Sequence, residues 1–336
     1  MLTGQSENSN SSSHSESKTG LAVSADSNTA SVFVGDDIQG GTLSANASTA
    51  VSSNISAGNT VQFDAGNDIT VEGSNIVAGM DISLDAVNDV SIVSAKETAS
   101  HQLEQEDTRD GLTVNANYNI GNTAEAVGNI GEGDNAVSQA SSVMQAADAL
   151  NNAGPSGSAH LGRTTTTTTE SGQQQSALAS NIVAGRNISV DAGGDALFEG
   201  ANVDAANDIS VNADDISIVA AQNTQTSDES SDYLQVGANL NASNGNASLT
   251  VGFSQSDSTQ SSTSSSTEAS QFSAGNNMQL NADNDLTVEG ADISADNDMT
   301  LLAGNDVWTS QTLLDTFNSY NSTSNKLFIS SVSNLT

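Results

Sequence analysis

Alanines at a fixed spacing constrain this chain more than any other feature. Ala57, Ala65, Ala78 and Ala86 are separated by steps of 8, 13 and 8 residues. Ala184, Ala192, Ala205 and Ala213 repeat those steps, and Ala274, Ala282, Ala295 and Ala303 repeat them again. The composite period is 21 residues in three separate blocks, Ser53–Ala95, Ser180–Ala221 and Gln271–Ser310. Each alanine opens a unit: a turn pair follows, then Asn or Asp, then an apolar-x-apolar triplet such as Val61-Gln62-Phe63 or Ile82-Ser83-Leu84. Period-2 alternation places the flanking apolar side chains on one face and the polar one on the other. A strand of three to five residues cannot bury that face alone. Stacking one coil on the next can, with the triplets forming parallel ladders around a narrow aliphatic interior. The 13-residue step carries a further apolar contact at Ile76, Val203 or Ile293, which supplies a short third face. The expected fold is all-β: a parallel β-helix of about six coils, roughly 30 Å long at ~4.8 Å per coil.

Composition agrees and narrows the function. Only 11 of 336 residues are aromatic, too few for a thick conventional core and sufficient for thin aliphatic layers. Forty-one Asp/Glu against six Lys/Arg give a formal charge of −35, which disfavours nucleic acid and anionic membranes as partners. The absence of cysteine excludes a disulfide scaffold and thiolate metal sites. His14, His101 and His160 are isolated in sequence. Nothing resembles an apolar signal segment or a transmembrane helix. The polar, Ser-rich start and polar end read as a fragment of a longer chain.

The intervals between blocks are polar but patterned. Asp232–Leu240 and Ala247–Ser254 alternate around Asn244-Gly245, so Ser227–Thr259 reads as a long β-hairpin projecting from the helix. Leu112–Ile120 reads as an outgoing strand, with the six threonines Thr164–Thr169 as its return. Leu21–Ser24 and Ser31–Val34 make a third pair. In residues 134–151, Val137, Ala140, Met144, Ala147 and Leu150 share one helical face, which predicts a short helix. Ser254–Ser270 and Ser6–Ser17 are low-complexity tracts expected to be mobile loop or frayed hairpin base. The resulting organisation is a polar start with the first hairpin (1–52), helix block 1 (53–95), a hairpin excursion (96–179), block 2 (180–221), a hairpin and Ser-rich loop (222–270), block 3 (271–310) and the start of a further excursion (311–336).

These residues resemble a known family. Ala65-Gly66-Asn67-Asp68, Gly73-Ser74-Asn75-Ile76 and Ala192-Gly193-Gly194-Asp195 match the haemagglutinin repeats of filamentous haemagglutinin and related two-partner secretion exoproteins, which include the stalks of contact-dependent growth-inhibition toxins. The resemblance implies a right-handed β-helix in a secreted cell-surface fibre. It also implies export through an outer-membrane transporter; contact with a target-cell surface protein or glycan is expected instead from the large residues of the hairpins. Pro155 is the one proline, and Arg109-Asp110-Gly111 only scrambles an integrin-binding tripeptide. The resemblance therefore reaches the stalk and no effector. A fibre exported unfolded also benefits from having no disulfides and few slow-isomerising bonds.

Three chemistries compete for the polar residues. Asn-Asp pairs at 67–68, 88–89, 207–208, 284–285, 297–298 and 305–306 suggest a calcium roll, but the spacing departs from a nine-residue repeat. Turn-capping through the Asn and Asp side chains is the competing reading. Paired carboxylates for glycoside cleavage would be drawn from Asp81, Asp85 and Asp89, or Asp204 and Asp208. Only Arg186 and Lys96 stand near them to grip a sugar, with no Trp or Tyr. The expectation is a non-enzymatic stalk without catalytic residues, cofactor or metal. Trp308 reads as an edge or capping contact. Tyr118, Tyr233, Phe253 and the Val137–Leu150 stripe either pack hairpin on stalk or make the fibre's contacts.

Overall fold

The computed structural model describes residues 4–25, 29–117, 156–243, 246–311 and 316–321. The chain opens with two long antiparallel strands, β1 (Gly4–Ala25) and β2 (Thr29–Val51). Two coils follow: β3 (Asn54–Ala57), β4 (Val61–Ala65) and β5 (Ile69–Glu72), then β6 (Asn75–Ala78), β7 (Ile82–Ala86) and β8 (Val90–Val93). Long strands β9 (Ala95–Asn117) and β10 (Ser156–Leu178) lead to coils 3 and 4. These comprise β11 (Ser180–Ala184), β12 (Ile188–Ala192), β13 (Ala196–Glu199), β14 (Ala201–Ala205), β15 (Ile209–Ala213) and β16 (Ile216–Val219). Long strands β17 (Ala221–Ser243) and β18 (Asn246–Glu268) precede coils 5 and 6. The last coils are β19 (Ser270–Ala274), β20 (Met278–Ala282), β21 (Leu286–Glu289), β22 (Ala291–Ala295), β23 (Met299–Ala303) and β24 (Val307–Ser310), and β25 (Thr316–Asn321) follows.

The short strands stack into three parallel six-stranded sheets, which is the β-helix. Its interior is layered as the triplets require. Ile76, Ile182, Val203 and Phe272 form one column, Leu84, Val190, Val211 and Leu280 a second, and Ile92, Phe198, Ile218 and Val288 a third, all buried. Phe198 and Phe272 meet edge to face with ring centroids 4.9 Å apart. Beside Phe198 the layer carries only Ala196, where its stacking neighbours are Val90 and Ile216. The periodic alanines terminate their strands and stack on one another at the corners, as in Ala57–Ala78–Ala184–Ala205–Ala274–Ala295. They close units rather than open them. A methyl fills the corner where a larger side chain would push the turn outward.

The long strands form one antiparallel sheet in the order β1-β2-β9-β10-β17-β18-β25. Its geometry follows from a coincidence of spacing. Each hairpin supplies two strands and is followed by two coils, and both strands and coils advance ~4.8 Å. Successive hairpins therefore arrive in register beside one another. The result is a fin with strands of 22 or 23 residues in its six full-length members, roughly 75 Å from base to tip.

Several local expectations change. Ser6–Ser17 and Ser254–Glu268 are ordered strand residues within β1 and β18, not loop. A sheet with water on both faces needs no apolar alternation, so backbone pairing alone orders a serine run. The hairpin expected at Ser227–Thr259 extends to the helix as Ala221–Glu268. Thr164–Thr169 does lie on a return strand, but opposite Arg109–Glu104, while Leu112 faces Leu161. Leu21–Ser24 pairs with Val34–Ser31. The helix expected at 134–151 and Tyr118 lie outside the described residues.

Candidate contact surface

Two turn columns hold the Asn-Asp pairs, and in both the side chains serve the next coil. Asp68 Oδ1 accepts the amide of Asp89 at 3.3 Å, and Asp89 Oδ1 that of Asp195 at 2.9 Å. The ladder continues through Asp215, Asp285 and Asp306. In the other column Asp81, Asn187, Asp208 and Asn277 accept in the same way from Asn187, Asp208, Asn277 and Asp298. Asn54, Asn75, Asn181 and Asn202 form a third ladder through their amides at 2.7–2.9 Å. Asp81 also binds Arg186, whose hydrogen bond holds the carboxyl below the usual carboxylate range.

The acidic residues considered for glycoside cleavage therefore do not converge. Asp81 and Asp208 belong to one turn column and Asp89 to the other. Asp85 lies on the outer face of β7 between Asp64 and Asp191. Asp204 points outward from β14. Lys96 lies at the base of β9. Among the described residues, no group of three His, Asp or Glu side chains is placed to hold a metal, and no helix is long and apolar enough to cross a membrane. Trp308 lies exposed on β24, the outermost strand of its sheet.

The fin carries more of the exposed large apolar side chains than the coils do. A row of glycines crosses six strands in register: Gly20, Gly35, Gly111, Gly162, Gly237 and Gly252. Five of them have φ between 149° and 156°. At Gly35, Gly111, Gly162 and Gly237 a Cβ would stand 2.0–2.2 Å from a neighbouring carbonyl oxygen. The backbones approach too closely there for any side chain, and the row divides a polar base from a more apolar tip.

Alternation sorts the flanking residues onto two faces. One carries Phe33, Asp37, Asp107, Arg109, His160, Asn239 and Tyr233. Arg109 reaches across the glycine row to the Phe33 ring (5.9 Å) and lies 3.6 Å from Asp37. Burial, reinforced by the neighbouring Asp37 carboxylate, pushes the Asp107 carboxyl up, with Arg109 opposing. His160 is buried, with Nδ1 donating to Asn239 Oδ1 at 2.8 Å. His14 and His101 are elsewhere on the fin, His101 3.8 Å from Glu170.

The opposite face is aliphatic near the tip. Leu112, Val114 and Ala159 are buried at its centre, with Leu240 packed against them. Toward β18 it stays open: Phe253 is 77% and Val251 74% exposed, next to the exposed Leu161, Leu234 and Val236. Tyr233 and Phe253, the two described aromatics of this hairpin, thus lie on opposite faces. The glycine row is not among the features expected from the sequence. Its signal is present, since each apolar dyad around it abuts a glycine, as in Val34-Gly35, Gly111-Leu112 and Leu161-Gly162.

No curated protein and no solved structure matches the chain. The family model of the hemagglutinin repeat matches residues 1–105, 39–154 and 161–327. These matches run through coils and fin alike and cover most of the sequence, and the chain belongs to the hemagglutinin-repeat family.

Proposed function

We propose that this chain is a non-enzymatic segment of a secreted bacterial surface exoprotein, with the coil stack as a rigid spacer and the fin as its contact surface. The observation that supports it best is the division of labour. The coils consume their polar side chains in ladders that bind coil to coil. The fin leaves more of the large apolar side chains open to solvent, Phe253 and Val251 most of all, while the coils expose fewer, chiefly Val87 and, on the last coil, Trp308. Membership of the hemagglutinin-repeat family supports an adhesin-type, extracellular role. It also favours export by a two-partner secretion transporter. Presentation of a tip domain, toxic or adhesive, belongs to the same proposal.

Deleting Ser227–Thr259 tests it. That segment is the outer part of β17 and β18, and the neighbouring coils 4 and 5 pair with each other directly. Circular dichroism should stay β-rich while binding to target-cell surfaces falls. Unchanged binding, or loss of the helix fold, would sink the reading.

A further inference from the structure

We infer that the open apolar patch on β10, β17 and β18 is a docking site for a cationic, amphipathic protein segment. The inference rests on the contact role proposed for the fin and names the chemistry of the partner. The patch comprises Leu161, Leu234, Val236, Val251 and Phe253, all exposed. Val236 and Phe253 are cross-strand partners, and Leu161 and Val251 flank Ala238 in the next row on the same face. It is continuous with the buried cluster of Leu112, Val114 and Ala159. Exposed apolar area that adjoins a core and holds an aromatic anchor is where binding energy concentrates.

Charge selects the partner. Four residues toward the base on the same face, Asp232 and Asp257 stand directly opposite each other on β17 and β18, both exposed. Glu106 lies in the same row, two strands further on. Like charges placed directly across a strand pair destabilise a sheet, and a cation seated between them would relieve that repulsion. The neighbouring arginine on this face, Arg163, is tied to Asp110 at 2.8 Å. The complementary ligand therefore offers apolar side chains to Phe253 and Val251 and a Lys or Arg about 13 Å from the one that meets Phe253. A second copy of this chain presents the same acidic row and is repelled.

The test uses the full chain with two short synthetic peptides, one alternating Leu and Lys and one alternating Leu and Glu, titrated at physiological salt. The lysine peptide should bind and the glutamate peptide should not. Val251→Ser with Phe253→Ser, and separately Asp232→Asn with Asp257→Asn, should each weaken binding about tenfold. Equal affinity for both peptides, or no loss in either double variant, overturns the site. So does a dimer in sedimentation, or adsorption to zwitterionic lipid vesicles, that the Val251/Phe253 variant abolishes. Cell binding separates this inference from the reading beneath it. If wild type and both variants bind cells equally, the docking site fails and the contact role stands. If the peptide pattern holds but wild type binds no cells, the contact role fails alone.

Discussion

The hydroxyl of Ser180 donates to the carbonyl of Val93 at 2.7 Å, across an excursion of 87 residues. Val93 ends coil 2 and Ser180 begins coil 3, so this bond closes the gap where the chain leaves the helix for the fin. The same oxygen accepts the amide of Ser74 at 3.2 Å. Ser270 repeats the arrangement at the second exit, donating to Val219 at 2.7 Å and accepting from Ala201 at 3.1 Å. Both serines are fully buried.

Ser180→Ala and Ser270→Ala should each destabilise the helix by about 1–3 kcal/mol, because each strands a buried amide, that of Ser74 or Ala201, while the Val93 and Val219 carbonyls keep the amides of Gly73 and Gly200. Urea unfolding of the single variants checks the size. A variant as stable as wild type would mean that water replaces the hydroxyl.

The coil architecture was legible because it repeats. Ala, turn and triplet recur often enough that period alone gives six coils and their interior. The route out of the helix was written more faintly. Between paired coils the chain turns through Gly73, Gly200 or Gly290, with φ of 49–60°. Where it exits into the fin, Ser94 or Ala220 holds that place. The serine strands were illegible because a ribbon wetted on both faces carries no hydrophobic signal. Only the aligned glycines betray its register, and they align only once the hairpins stand side by side.

Gly111→Ala and Gly162→Ala should loosen the fin and spare the helix. A Cβ at either position meets a backbone oxygen at 2.0–2.2 Å, and φ of 149–156° strains an L-residue besides. Hydrogen exchange should quicken in β9 and β10 while the coil strands keep their protection. Gly20→Ala, on the edge strand with open space around its Cβ, should have the smaller effect.

Phe198→Ala should be the costliest single change in the helix, about 3–5 kcal/mol. It removes a fully buried ring and its edge-to-face partner contact with Phe272. The adjacent Ala196 offers nothing to collapse into the void. Thermal unfolding of Phe198→Ala against Phe198→Leu separates cavity from ring geometry.

The fin should respond to acid through Asp107. Its folded carboxyl is raised by burial and by Asp37, so the unfolded chain releases that proton at lower pH. Stability from this group is complete below the unfolded carboxyl pKa and is lost as pH rises through the folded one. At neutral pH the ionised group therefore works against the fin. Asp107→Asn should raise fin stability at pH 7, with the gain vanishing once the solution is acid enough to protonate the wild-type carboxyl. Protection of β9 amides across that pH range, wild type against variant, measures it. A gain that persists unchanged in acid would assign the effect to the amide's own hydrogen bonds and not to the charge.

Asp85 makes the corresponding case on the helix. It sits between Asp64 and Asp191 in successive coils, three carboxylates in one outward-facing column. Asp191 has relief from Asn212 Nδ2 at 2.7 Å and Ser189 Oγ at 3.0 Å. Like charges directly opposed on neighbouring strands are destabilising, and Asp85 takes part in two such pairs. Asp85→Asn should therefore stabilise the helix, and an amide there can extend the column as Asn212 does. Because the carboxylates are solvated, the gain should shrink as salt is raised. Melting curves at low and high ionic strength decide the matter. Stabilisation that ignores salt would point to the new amide bonds, and destabilisation at low salt would show that Asp85 holds a contact worth more than the repulsion it suffers.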